Sequence, residues 1–248
     1  MYARMKIEYD FTVRRGHLKK RQRRYARHKK NTFQKYLKVG MIALLGTVLV
    51  VGVLKVIQPD FFAFVGSKKY RENTGDVVED NRPDIDVQLL TPNPYSRPET
   101  ETEKITGIVL HYTANPNSTA MQNRDYFEGL QHTQTVMASS HFIIGLEGEI
   151  VQSIPTWEVA YASNDRNKNT ISIECCHSDE SGEFNKKTYA SMVELTAWLC
   201  LKFDLNETDL LRHYDITQKS CPKYFVDDEE AWETFKIDVK EELERMQR

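Results

Sequence analysis

From residue 105 onward, short apolar runs alternate with amphipathic stretches along the chain. Ile105–Tyr112 (ITGIVLHY) has the run length and composition of a buried strand. Ser118–Gln131 carries helical spacing, with Ser118 or Thr119 placed as its cap. Ser139–Leu146 and Glu149–Ile154 flank Glu147-Gly148 and read as a hairpin. Thr170–Cys176 (TISIECC) predicts a further strand. In Lys187–Phe203 the residues Tyr189, Met192, Val193, Leu195, Trp198 and Leu199 recur at helical intervals. Asp228–Met246 is a charged amphipathic helix with Trp232, Phe235, Ile237 and Leu243 as anchors. Strands mixed with helices predict one α/β domain over residues 104–248, and no internal repeat is present.

The N-terminal part follows a different pattern. Val39–Leu54 (VGMIALLGTVLVVGVL) is unbroken by charge, and a bilayer needs about 20 such residues. Lys38 and Lys55 extend its reach, because their stems lie along a helix while the ammonium groups reach the head groups. Continued to Ile57, the run predicts a transmembrane helix at 39–57. The competing reading is a buried core helix, which would need burial on every side. A cleaved signal peptide is the other competitor, but QPDFFAFV after the run offers no small-residue cleavage site. Gly66–Glu103 is rich in Pro, Asp, Asn, Glu and Thr and reads as a spacer whose last part packs as an arm on the domain. The expected layout is a basic cytoplasmic tail (1–38), an anchor (39–57), an extracytoplasmic linker (58–103) and a globular domain (104–248).

Charge supports that layout. The formal net charge is only −2, yet roughly 14 basic and 2 acidic side chains fall before residue 39. Arg14–Lys30 (RRGHLKKRQRRYARHKK) precedes the apolar run, so the positive-inside rule keeps the N-terminus in the cytoplasm and sends the C-terminal body across. That body is then expected outside a cell membrane crossed once. Nucleic-acid binding by the basic stretch is the alternative. The reading preferred is a topology signal resting on anionic lipid, at about 1 kcal/mol per basic residue. Four cysteines (Cys175, Cys176, Cys200 and Cys221) fit neither a zinc ribbon nor a disulfide scaffold. The first three read as core thiols, with a disulfide outside the cytoplasm as the alternative.

Polar residues at the ends of apolar runs carry the candidate chemistry. His111 follows Ile108-Val109-Leu110, His213 lies in LLRHYDIT, and Cys221 lies in QKSCPKY. Two imidazoles and a thiolate suit zinc, and three protein ligands leave a fourth position open, as in catalytic sites. Spacing alone makes this a weak signal.

Four blocks strengthen it: GIVLHYTAN, SSHFIIGLEGEIVQSIP, NKNTISIECC and RHYDITQKSCPKYF. In this order they resemble the zinc-dependent N-acetylmuramoyl-L-alanine amidases, the family that takes in phage T7 lysozyme and the peptidoglycan recognition proteins. The resemblance covers about Ile105–Phe225. It implies a single mixed β-sheet flanked by helices, here preceded by the transmembrane helix. It implies Zn2+ held by His111, His213 and Cys221, with Glu174 and Lys219 as the catalytic pair. The implied activity is hydrolysis of the amide bond between the muramoyl lactyl group and L-alanine of peptidoglycan. The alternative is a module that binds peptidoglycan without cutting it. His141, Tyr161, Asn164 and Asn167 are candidate substrate contacts, with a structural role as an equal alternative for His141. One departure is plain: where part of the family has a catalytic tyrosine, this chain has Ser140, which shifts the proton-transfer role to Glu174. Ser172 stands where a glycine is common.

Overall fold

A computed structural model describes residues 75–248. Its strands are β1 (Ile85–Val87), β2 (Ile108–Tyr112), β3 (Phe142–Ile144), β4 (Ile150–Gln152), β5 (Ile171–Cys175) and β6 (Leu210–Arg212). They form one mixed sheet in the order β1-β4-β3-β5-β2-β6. Only the β3–β4 hairpin is antiparallel. The helices are α1 (Asp76–Asp80), α2 (Ala120–Thr133), α3 (Lys186–Phe203), α4 (His213–Thr217), α5 (Lys223–Asp227) and α6 (Glu229–Met246). The predicted anchor at 39–57 and the basic tail lie outside the described residues. Among the described residues, no helix is long and apolar enough to cross a membrane.

Local chemistry sets the boundaries. Thr119, not Ser118, caps α2: its Oγ1 accepts from Gln122 N–H, and Gln122 Oε1 accepts from Thr119 N–H, a closed capping box. Asn185 caps α3 by accepting from Lys187 and Thr188, and Asp228 caps α6 through Ala231 N–H. The β3–β4 turn needs Gly148, whose φ is +85° and where a Cβ would meet Ser191 Oγ at 2.9 Å.

Alternation along the strands divides the core. Ile108 and Leu110 of β2, with Ile171, Ile173 and Cys175 of β5, join α3 and α6 through Leu195, Leu199, Trp232 and Phe235. On the opposite face Ile143 and Val151 meet Phe127 and Leu130 of α2 and Leu90 of the preceding segment. Each large apolar side chain buried this way contributes about 1.5–3 kcal/mol. Cys175, Cys176 and Cys200 are free, buried thiols.

The linker expectation needs correction over residues 75–103, which are built into the domain. β1 pairs with β4, and Gln88 and Leu90 continue the pairing by donating to Gln152 O and Ser153 O. Trp198 Nε1 donates to Val78 O at 2.8 Å, fixing α1 against α3. Composition hides this segment because its anchors (Val78, Ile85 and Leu90) are spaced too widely to show a period, while the surrounding residues are polar.

The arm is tied to the sheet through a chain of polar groups. Arg97 makes a two-pronged ion pair with Glu158, with both distances 2.8 Å, and also donates to Leu90 O. Glu158 O accepts from His141 Nε2–H at 2.9 Å, and His141 Nδ1 accepts from Ser172 N–H at 3.1 Å. These bonds fix one neutral tautomer of His141. With 1 % exposure and both nitrogens occupied, His141 is a staple between β3, β5 and the Glu158 turn. The expectation that it contacts substrate fails on that ground. Ser140 is likewise structural: its buried hydroxyl donates to Phe142 O and lies 3.0 Å from Ser172 O.

Two outcomes follow from this chain. Arg97→Ala leaves the Glu158 carboxylate enclosed without its partner and should cost about 3 kcal/mol in urea unfolding. The Arg97→Ala/Glu158→Ala double variant should recover part of that loss. Burial holds His141 down to about 4, against 6.5 for a free imidazole. The unfolded chain therefore takes up a proton below pH ~6.5 that the folded chain refuses. Stability present above that pH should fall as pH drops toward 4, by roughly 3 kcal/mol from this group. Urea titrations across the window should show a shallower fall for His141→Gln.

Candidate metal centre

Two neighbouring strands and a loop deliver the candidate ligands to one place. His111 is the fourth residue of β2 and is buried. β6 pairs with β2 in the register Leu110↔Arg212, so His213, the next residue, emerges beside His111. The two rings lie 4.7 Å apart between centroids. Cys221 returns to the same place because Tyr214 N–H donates to Cys221 O at 2.9 Å. Its Sγ lies 3.8 Å from His111 Nδ1. Two ligands on a tetrahedral zinc, with bonds of about 2.0 and 2.3 Å, stand about 3.5 Å apart. One ligand atom from each of the three residues falls within 4.8 Å of the others.

Arg212 roots this corner, and sequence reasoning missed it. Its guanidinium donates to Asp215 at 2.9 Å, to Glu229 at 2.6 Å and to Phe225 O at 2.9 Å, and lies over Trp232. These contacts tie the start of α4, and hence His213, to α5 and α6. The available signal was an arginine closing the apolar LLR run, where burial demands partners.

Glu174 is the Cα partner of His111 across β2 and β5. The residue is half-buried, but Oε2 is sealed from solvent and has no hydrogen-bond partner among the described residues. Burial pushes its carboxyl up to about 8, with the Lys219 charge acting in the opposite direction. Thr113 Oγ1, just past β2, is likewise buried and unpartnered. Burial also pushes the Cys221 thiol up to about 12, helped by Glu174. His111 is held well below the ordinary imidazole range by burial and by His213, and His213 is lowered chiefly by burial. Neutral imidazoles are the form that binds a metal.

Lys219 is exposed on the loop before Cys221, and its charge acts on His111, His213, Glu174 and Cys221. The three remaining candidate contacts lie on the loop before β5. Tyr161 is half-buried, with its backbone joined to Ser139 in both directions. Asn167 Oδ1 accepts from Ala162 N–H at 3.1 Å and Ser163 N–H at 2.6 Å, which closes the turn. That turn carries Asn164 Oδ1 to 3.1 Å from His213 Nε2, and Ser163 Oγ to 3.4 Å from His111 Nε2. Asn164 and Asn167 thus serve the ligands and the turn that holds them. Ser163 was not anticipated; nothing in its local sequence distinguishes it.

Comparisons with known proteins bear on the family and the fold. The chain is 35% identical over 160 residues to the N-acetylmuramoyl-L-alanine amidase CwlL of Bacillus licheniformis, covering 59% of this chain and 44% of that protein. It is 33% identical over 172 residues to the amidase BlyA of Bacillus subtilis (strain 168), covering 61% and 45%. The chain thus spans under half the length of these curated relatives. Among solved structures, PlyL superposes with a TM-score of 0.56 at 23% identity, covering 64% of this chain and 98% of that one. The catalytic domain of XlyA gives 0.55 at 23%, covering 63% and 99%. At that identity the likeness establishes the fold. Residues 101–224 of the 248 match the N-acetylmuramoyl-L-alanine amidase family model. That stretch contains both histidines, Cys221, Glu174 and Lys219, and the chain belongs to this family.

Proposed function

We propose that this chain is a zinc-dependent N-acetylmuramoyl-L-alanine amidase, held in a membrane by residues 39–57 and acting on peptidoglycan outside the cytoplasm. One observation carries the catalytic reading. Glu174 keeps a sealed, unpartnered carboxyl oxygen beside the three candidate ligands. A buried carboxyl without a partner costs stability, and a module that only binds has no use for it.

The donor set fits zinc: two neutral nitrogens and one sulfur, with no further protein ligand in the group among the described residues. A cation there also offsets the burial cost of the Cys221 thiolate and the Glu174 carboxylate. When bound, zinc supplies a Lewis acid for the amide carbonyl and for water, and its charge favours the ionised form of Glu174.

The chain's own residues do the rest. Ionised Glu174 accepts a proton from the water that attacks the carbonyl carbon of the lactyl group. Negative charge then grows on the carbonyl oxygen, and the Lys219 ammonium stabilises it. Glu174 returns its proton to the amide nitrogen as the C–N bond breaks. The products are the lactyl carboxylate and the free amine of L-alanine. Ser140, bonded to backbone carbonyls, leaves Glu174 as the proton carrier.

The membrane reading rests on sequence: an apolar run flanked by Lys38 and Lys55, behind a strongly basic stretch. It places the catalytic domain on the side where the wall lies.

Purified chain with zinc should release free stem peptides from muropeptides, and mass spectrometry should find an intact lactyl carboxylate on the sugar. A chelator should abolish release. Glu174→Gln should lower turnover by about 10²- to 10⁴-fold while zinc content stays unchanged. Cys221→Ser should lose zinc and activity together. Binding of muropeptide without release in the zinc-loaded chain would establish the binding-module alternative. Reporter fusions at the C-terminus should be active only outside the cytoplasm; a cytoplasmic readout would overturn the topology.

A further inference from the structure

We infer that the Ser163-Asn164 turn is an outer support for the metal centre, fixing the tautomer and orientation of both histidine ligands from a single short segment. The inference rests on the metal-binding reading above.

The argument begins with Asn164. Its Oδ1 lies 3.1 Å from His213 Nε2, and an amide oxygen only accepts hydrogen bonds. His213 Nε2 therefore carries the proton, and Nδ1 is left with a free lone pair. Ser163 acts on the other ligand. It is 1 % exposed, and its Oγ faces His111 Nε2 at 3.4 Å. His111 presents its other nitrogen, Nδ1, to Cys221 Sγ. A metal ligand with one ring nitrogen turned inward needs the other protonated and held, and such outer partners raise ligand basicity. Here two adjacent residues meet that need for both imidazoles.

The turn is built for the task. Asn164 has φ +50°, a left-handed conformation that Asn tolerates better than most residues. Asn167 Oδ1 clamps the backbone N–H groups of Ala162 and Ser163, which sets the direction of both side chains. Asn164 is exposed, so the support sits at the rim of the site; Ser163 is sealed beneath it.

Both residues are positioning residues, and the test must separate that role from a structural one. Asn164→Gly removes the acceptor while easing the left-handed backbone, whereas Asn164→Asp keeps an acceptor oxygen. Zinc affinity of the full chain is measured by competition with a chelator. Absorption of the Co2+-substituted chain reports ligand geometry, and melting of the metal-free chain reports structure. Asn164→Gly and Ser163→Ala should each weaken zinc by about tenfold or more. They should also weaken or shift the cobalt bands while leaving metal-free melting nearly unmoved. Asn164→Asp should restore wild-type affinity. Unchanged affinity in both variants overturns the inference, and so does an equal loss in Asn164→Gly and Asn164→Asp. A wild-type chain that takes up no zinc defeats the underlying metal reading instead.

Discussion

Side chains on a strand leave the sheet alternately on its two faces, and in parallel strands the register decides which of them meet. In β2 and β5 that register makes His111 and Glu174 Cα partners. Both therefore leave the sheet on the face opposite Leu110 and Ile173, which pack into the α3–α6 core. A one-residue slip of either strand would send its polar side chain into that core and bring Leu110 or Ile173 to the site instead. The apolar packing of Ile108, Leu110, Ile171 and Ile173 therefore specifies the site as firmly as any polar contact in it. β6 extends the arrangement: Leu110↔Arg212 pairing puts His213 at the same level.

The electrostatic consequence is a cluster that is poorly solvated as it stands. The Glu174 carboxyl and the Cys221 thiol are pushed up by burial, while the neutral rings of His111 and His213 neutralise neither. Lys219 supplies the opposing charge, but from an exposed loop where water screens it. A divalent cation bound among these groups, as proposed, would resolve the imbalance. The same groups that make the protein alone less stable would then favour the cation.

Much of this was legible from the sequence, for identifiable reasons. β2, β5, α2, α3 and α6 announce themselves through runs and periods of apolar residues, and the three candidate ligands through four ordered blocks. α1, β1 and β6 do not, because three- to five-residue elements carry no period and take their stability from tertiary partners such as Trp198 and β4. His141 misled for a related reason. A histidine in a block that resembles the amidase family suggests chemistry, and only the positions of Glu158 O and Ser172 N–H reveal it as a staple. Asn164 and Asn167 were expected as substrate contacts, but the bonds they make run to the ring of a candidate ligand and to a pair of backbone amides. No one-dimensional pattern encodes such targets.

The loop from Ser153 to Thr170 explains how these parts act together. Loops of this length usually serve function, and this one, broken only by a 3-10 turn at Asn164–Arg166, holds its shape through side chains bonded to backbone. Glu158 is fixed by Arg97 from the arm, and its carbonyl by His141. Tyr161 is joined to Ser139 through the backbone and Ser139 Oγ. Asn167 closes the final turn beneath Ser163 and Asn164. The arm and the metal centre are thus two ends of one polar path: from Arg97 through Glu158, along the loop, to the histidine rings. A second branch runs from Glu158 through His141 to Ser172, two residues before Glu174 on the same face of β5. The segment whose composition resembles a spacer therefore helps to place both the proposed proton carrier and the support of its neighbouring ligands.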